Sequence, residues 1–174
     1  MTRKWMLVAA VTALVCAPAF ADPLKKGQKE IDFTFSYDNL DPDGADEELK
    51  TTIFTGSFGY MLTDGHEVGG FLSYNKLEAG DFGDTDSTQI GGFYHYNFAA
   101  GTNMNPYVGA RISTISGDLG DVYDTSYGLI GGVKVWPWAN AGFNFGVSWD
   151  QYMGDGDFED ATNTSIFAGI GVKF

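Results

Sequence analysis

The stretch Ser165-Ile166-Phe167-Ala168-Gly169-Ile170-Gly171-Val172-Lys173-Phe174 alternates without a break. Ile166, Ala168, Ile170, Val172 and Phe174 fall on one side of an extended chain. Ser165, Phe167, Gly169, Gly171 and Lys173 fall on the other. An extended backbone turns successive side chains to opposite faces, so this period of two describes a strand with two different environments.

Working outward, the same pattern recurs in seven more segments. Ile31, Phe33, Phe35 and Tyr37 oppose Glu30, Asp32, Thr34 and Ser36, and Phe54, Phe58, Tyr60 and Leu62 oppose Thr55, Ser57 and Gly59. Runs around Val68–Tyr74, Ile90–Phe98, Val108–Ile112, Tyr127–Val135 and Phe143–Trp149 repeat it. Eight strands of even number, with no helical period between them, can remove every sheet edge by closing into a barrel.

Which face lies outside decides the class. The interior of an eight-stranded barrel is only wide enough for side chains or one small ligand. The bulky Phe, Tyr, Leu and Ile face cannot fit there, whereas the Gly- and Ser-rich face can. Apolar outside and polar inside is the membrane arrangement, in which closure satisfies every backbone group within hydrocarbon. The expected fold is therefore all-β, an eight-stranded antiparallel up-and-down transmembrane β-barrel.

Ahead of it, Arg3 and Lys4, the apolar run Trp5–Cys16 and Ala19-Phe20-Ala21 read as a cleaved signal peptide over residues 1–21, leaving 22–174 as one barrel domain. The only cysteine, Cys16, lies in the part expected to be removed. A formal net charge of -13 with no basic cluster argues against nucleic acid as a partner.

The connections alternate in character. Residues 63–66, 99–105 and 137–140 are short and nearly uncharged, as periplasmic turns are. Residues 38–48, 78–86, 117–124 and 153–160 are long and rich in Gly and Asp, as extracellular loops are. Both termini are then periplasmic. Tyr60, Phe98, Trp136, Trp138 and Phe174 are expected in one aromatic girdle, and Tyr37, Tyr74, Tyr127, Trp149 and Tyr152 in the other.

Two sets of residues are candidates for function. The inward face carries Glu30, Asp32, Glu67, His95, Arg111, Lys134, Asp150 and Lys173. Asp32, Glu67, His95, Arg111 and Lys134 are the groups expected to form lumenal ion pairs, because an unpaired charge in a cramped interior is costly. Such pairs plug the barrel or, exchanging partners, gate a narrow ion path.

The second set lies in the loops, which hold seventeen of the 23 acidic residues and no Lys or Arg. Asp81, Asp84, Asp86, Asp118, Asp121, Asp124, Asp155, Asp157 and Glu159 are the candidate ligands for Ca²⁺ or Mg²⁺, hard cations that take oxygen donors. The spacing is not that of an EF-hand. The plainer alternative is a solvated acidic surface with diffuse counterions. Catalysis is not expected: His66 is placed in a turn and His95 inside the barrel, and neither a G-x-S-x-G motif nor a mature cysteine is present.

The terminal strand resembles the C-terminal assembly signal of outer-membrane barrel proteins, with Gly169, Val172 and Phe174 at its Gly, hydrophobic and aromatic places; Phe167 stands where a polar residue is usual. In size and layout the mature chain is similar to the OmpA transmembrane domain, OmpX and opacity-type proteins. The resemblance implies a Gram-negative outer membrane, with its lipid and lipopolysaccharide and the barrel assembly machinery as partners. It transfers fold and membrane firmly and activity only weakly. The function expected is a noncatalytic structural or surface-interaction barrel with acidic, cation-gathering loops and no other cofactor. The alternative is a narrow ion or small-solute channel.

Overall fold

The structure, a computed structural model, describes residues 24–40, 49–78, 84–98, 103–154 and 160–174. The expected signal peptide lies outside these residues.

Eight strands follow in order: β1 (Lys29–Leu40), β2 (Leu49–Thr63), β3 (His66–Glu78), β4 (Asp84–Asn97), β5 (Met104–Gly117), β6 (Tyr123–Val135), β7 (Ala141–Gly154) and β8 (Ala161–Lys173). Each pairs antiparallel with its sequence neighbour, and β1 pairs with β8 to close the barrel. At that seam Glu30 stands opposite Lys173 and Ser36 opposite Phe167. The eight-stranded antiparallel barrel read from the alternation is thus the fold observed.

Exposure follows the period of two. Ile90, Ile112 and Leu129 are 62, 60 and 60 % exposed on the outer wall, while Glu30, Glu67 and Lys134 inside are 2, 1 and 1 % exposed. This inversion of the usual soluble arrangement has a physical basis only if the outer wall meets an apolar medium.

One end of the barrel carries the short turns and the other the long connections; they are called here the turn end and the loop end. At the turn end Thr63 and His66 pair around Asp64-Gly65, and Gly65 takes φ 113, a conformation that favours glycine.

At the loop end the strands run further than the alternation suggests. They are 12 to 15 residues long, against the roughly 9–11 residues a membrane-crossing strand needs. Asp84 and Asp86, expected in a loop, are therefore part of β4, where they pair with Glu78 and Lys76. Residues 38–40, 78, 117, 123, 124, 153 and 154 also belong to strands, and Asp118–Asp121 form a short 3-10 turn. Once a ladder is started, each further pair satisfies two backbone groups, so pairing continues until the connection must turn.

Two aromatic assignments change. Trp136 is 3 % exposed within the turn end rather than in a girdle, and Tyr152 accepts a hydrogen bond from inward-facing Gln89. Tyr152 keeps the parity of Asp150, which places it on the lumenal side of β7. Tyr60, Tyr74, Phe98, Tyr127, Trp138, Trp149 and Phe174 all stand exposed on the outer wall or its rims.

Candidate functional site

Three groups of side chains fill the lumen. At the turn end Leu24, Met61 and Trp136, each nearly fully buried, pack into an apolar floor. The segment before β1 is held there by Gly27 N–H donating to the Met61 carbonyl (2.9 Å) and Met61 N–H donating to the Gln28 carbonyl (2.9 Å). Lys26 N–H also donates to the Asp64 carboxylate at 2.7 Å. The Lys173 ammonium sits 4.5 Å from the centre of the Trp136 ring, so a cation–π contact ties the floor to β8.

Above the floor Lys134 crosses the interior from β6 to the opposite wall. Its Nζ lies 2.8 Å from Glu30 Oε1 on β1 and 3.0 Å from Glu67 Oε2 on β3. Asn97 Nδ2 donates to the same Glu67 oxygen at 3.1 Å, and His95 Nδ1 approaches it at 3.4 Å without hydrogen-bond geometry. Glu67 reaches this position because β2 has Gly59 beside it; a Cβ there would collide with the carboxylate. Rings shield the crossbar. His95 stacks on Phe93 at 4.3 Å and meets Tyr107 at 4.8 Å, and Tyr107 donates its hydroxyl to Asn144 at 3.0 Å.

The third layer is the Arg111–Asp150 pair. Arg111 Nε donates to Asp150 Oδ1 at 2.7 Å and Nη2 to Oδ2 at 2.5 Å, the bidentate fork that makes arginine–carboxylate pairs rigid. Nη2 also donates to Ser148 at 3.2 Å, and the guanidinium lies 5.7 Å from the Phe71 ring centre. The register explains the pairing: Arg111 and Asp150 both stand beside Gly128, and a Cβ on Gly128 would meet the Asp150 carboxylate. The lumen also holds a cavity of about 60 Å³, bordered by Asp32, His95, Tyr107 and Arg111 among others.

All five lumenal residues expected from the sequence face inward, and within that set Lys134 and His95 both approach Glu67. Glu30 and Asp150, which were not among the five, complete the two charged layers. Asp32 is buried without a hydrogen-bond partner at Oδ1. The apolar floor is not among the sequence expectations: Trp136 is expected in a girdle, and Leu24 and Met61 carry no expectation. The inward parity of Met61, shared with Gly59, is the one sign that could have found it.

At the loop end the candidate cation ligands do not converge. Among the described residues no group of three His, Cys, Asp or Glu side chains is placed to hold a metal ion. Asp84 pairs with Lys76 at 2.9 Å, and Asp86 accepts from Tyr74 at 3.3 Å. Asp118 accepts from Asp86 N–H at 3.2 Å. Asp121 and Asp124 are exposed. Asp81, Asp155, Asp157 and Glu159 lie outside the described residues. Lys76, just below the loop, is a base that a search of the loops alone overlooks.

At the turn end Gly169, Val172 and Phe174 sit on the closing seam: Gly169 faces Thr34 and Val172 faces Ile31, and Phe174 exchanges backbone hydrogen bonds with Lys29 at 2.9 and 3.0 Å. His66 begins β3 on the outer wall, hydrogen-bonded to Tyr94 at 2.7 Å.

Solved structures with this architecture include Neisserial surface protein A, 21 % identical with a TM-score of 0.66 and covering 86 % of this chain and 98 % of that one. The N-terminal β-barrel domain of Pseudomonas aeruginosa OprF is 22 % identical with a TM-score of 0.55, covering 87 and 100 %. Ail of Yersinia pestis is 16 % identical with a TM-score of 0.54, covering 86 and 100 %. At such identities the likeness is one of fold. No curated protein sequence matches the chain. The family model of the OprF membrane domain, however, matches residues 1–174, so the chain belongs to that family of small outer-membrane β-barrels.

Proposed function

We propose that the chain is a noncatalytic structural or surface-interaction barrel whose lumen is closed and whose working surface is the loop end. The observation that carries this reading is the series of side chains stacked in the lumen: the floor of Leu24, Met61 and Trp136, the Lys134 crossbar from β6 to β1 and β3, and the Arg111–Asp150 pair on the wall formed by β5 and β7. The orientation that fits puts the turns and both termini in the periplasm and the acidic loops outside, against lipopolysaccharide. Acidic side chains crowded within a Debye length of roughly 8 Å repel one another and favour the capture of Ca²⁺ or Mg²⁺. The noncatalytic reading is supported by the placement of the two histidines: His95 is enclosed among Phe93, Tyr107 and Glu67, and His66 is engaged with Tyr94 on the outer wall.

Planar-bilayer recording on refolded protein tests the closed lumen, and no steady open state is expected. The rival reading, a narrow ion path, is favoured by the lumenal cavity that Asp32, His95 and Arg111 border. A stable conductance that disappears when Arg111 and Asp150 are both replaced by apolar residues would establish it instead. For Phe174 the proposed role is in assembly. Its removal is expected to lower the amount of inserted protein while export continues, and unchanged membrane levels would contradict that role.

A further inference from the structure

The lower lumen holds more acid than base. Between the floor and the Arg111–Asp150 layer, the inward charged groups among the described residues are the carboxylates of Glu30, Asp32 and Glu67 and the ammonium groups of Lys134 and Lys173. The imidazole of His95 joins them. All six side chains belong to residues nine-tenths or more buried. Arg111 and Asp150 neutralise each other one layer up, and Tyr107 is engaged with Asn144. With the imidazole neutral, the set carries one negative charge in excess. Removed from water, such a charge is costly until something neutralises it.

Beside this set lies the 60 Å³ cavity, and both Asp32 and His95 border it. Asp32 Oδ1 and His95 Nδ1 are buried polar atoms without a hydrogen-bond partner among the described residues, and Glu30 Oε2 is a third in the same cluster. A water needs roughly 10–15 Å³ of such space, so the cavity has room for a small ion with a few waters. No group of three His, Cys, Asp or Glu side chains among the described residues is placed to hold a metal ion, so an ion here takes most of its oxygen ligands from water.

We propose that this chamber is a binding site for one compensating positive charge. Its source is a small monovalent cation, Na⁺ or K⁺, seated with water against Asp32, or a proton held within the Glu30–Asp32–Glu67–His95 cluster. The site is independent of the loop-end reading and persists if the loops bind nothing.

The test is thermal unfolding of the refolded barrel in NaCl, KCl or N-methyl-D-glucamine chloride at one ionic strength, with EDTA present. The series is repeated from about pH 5 to 8, in wild type and in Asp32→Asn. A midpoint higher in Na⁺ or K⁺ than in the bulky cation, with the difference lost in Asp32→Asn, assigns the charge to the metal ion. A midpoint insensitive to cation identity that falls as pH rises, again only with Asp32 present, assigns it to a proton, because a proton taken up on folding stabilises the folded state at the acid side. A wild-type midpoint indifferent to both, or a dependence that survives in Asp32→Asn, overturns the proposal. Should Asp32→Asn fail to insert, Asp32→Ser removes the same charge with less bulk and serves as the comparison.

Discussion

The lumen and the loop end are both rich in carboxylates, yet they treat them differently. Inside, Glu30 and Glu67 share one ammonium group and Asp150 is held by a two-pronged guanidinium. At the loop end Asp121 and Asp124 stand exposed, and Asp118 accepts a backbone N–H. The cause is hydration. A carboxylate withdrawn from water must be compensated within the protein, so the lumen dictates partners from across the barrel. A carboxylate left in water is compensated by solvent and mobile ions, so nothing fixes where it sits.

Removing the crossbar is the largest perturbation this difference predicts. Lys134→Met leaves Glu30 and Glu67 buried without their cation. Breaking a buried pair from one side costs about 3–5 kcal/mol, and urea unfolding in lipid vesicles should show a loss of that size. Replacing all three, as Lys134→Met with Glu30→Gln and Glu67→Gln, should restore most of it. A loss below about 1 kcal/mol in the single variant, as for exposed pairs, would mean that water already reaches the layer.

A smaller effect comes from the space that the lumenal carboxylates occupy. Gly128→Leu places a side chain where Asp150 now sits, an overpacking that costs about 1–3 kcal/mol. Gly131→Leu, three residues on and facing the outer wall, meets nothing closer than 3.6 Å at its Cβ and should leave the urea midpoint unchanged. Equal effects from the two would show that the bay beside Gly128 is not filled by Asp150.

These contrasts also mark what the sequence could and could not reveal. Parity alone sorts Phe33 from Asp32 and Leu129 from Gly128, because one residue of offset moves a side chain from one medium to the other. Strand order and closure follow from eight such runs. Which acid meets which base does not follow, because Lys134 and Glu30 belong to strands that are not neighbours and meet only across the interior. The Arg111–Asp150 pair needed the register at Gly128. Strand ends were equally hidden: Asp84 and Asp86 have loop-like composition, and only their ladder partners Glu78 and Lys76 place them on β4.

The exposed Lys76–Asp84 pair, with side chains 39 and 60 % exposed, is the loop-end counterpart of the crossbar. Lys76→Met should cost no more than about 1 kcal/mol, and less in high salt, whereas the Lys134→Met loss should scarcely respond to salt. A large, salt-insensitive effect at Lys76 would erase the distinction between the two regions.

The smallest expected effect on stability is also the sharpest test of the loop surface. Asn in place of Asp118 keeps a carbonyl oxygen able to accept from Asp86 N–H, so the local contact survives while one charge is lost. Asp121→Asn and Asp124→Asn change exposed groups, and all three variants should unfold within about 0.5 kcal/mol of the parent, as surface substitutions do. Calorimetric titration with Ca²⁺ then separates two kinds of capture. Diffuse counterions respond to total charge, so each substitution should trim the heat by a similar fraction whichever acid is removed. A coordinated ion depends on particular oxygens, so one substitution should abolish a saturable signal while another leaves it intact. With Asp118 engaged with Asp86, and Asp121 and Asp124 exposed, the graded outcome is expected for this group. An all-or-none loss at any one of the three would show that the loop end, like the lumen, fixes its compensating charge at a defined place.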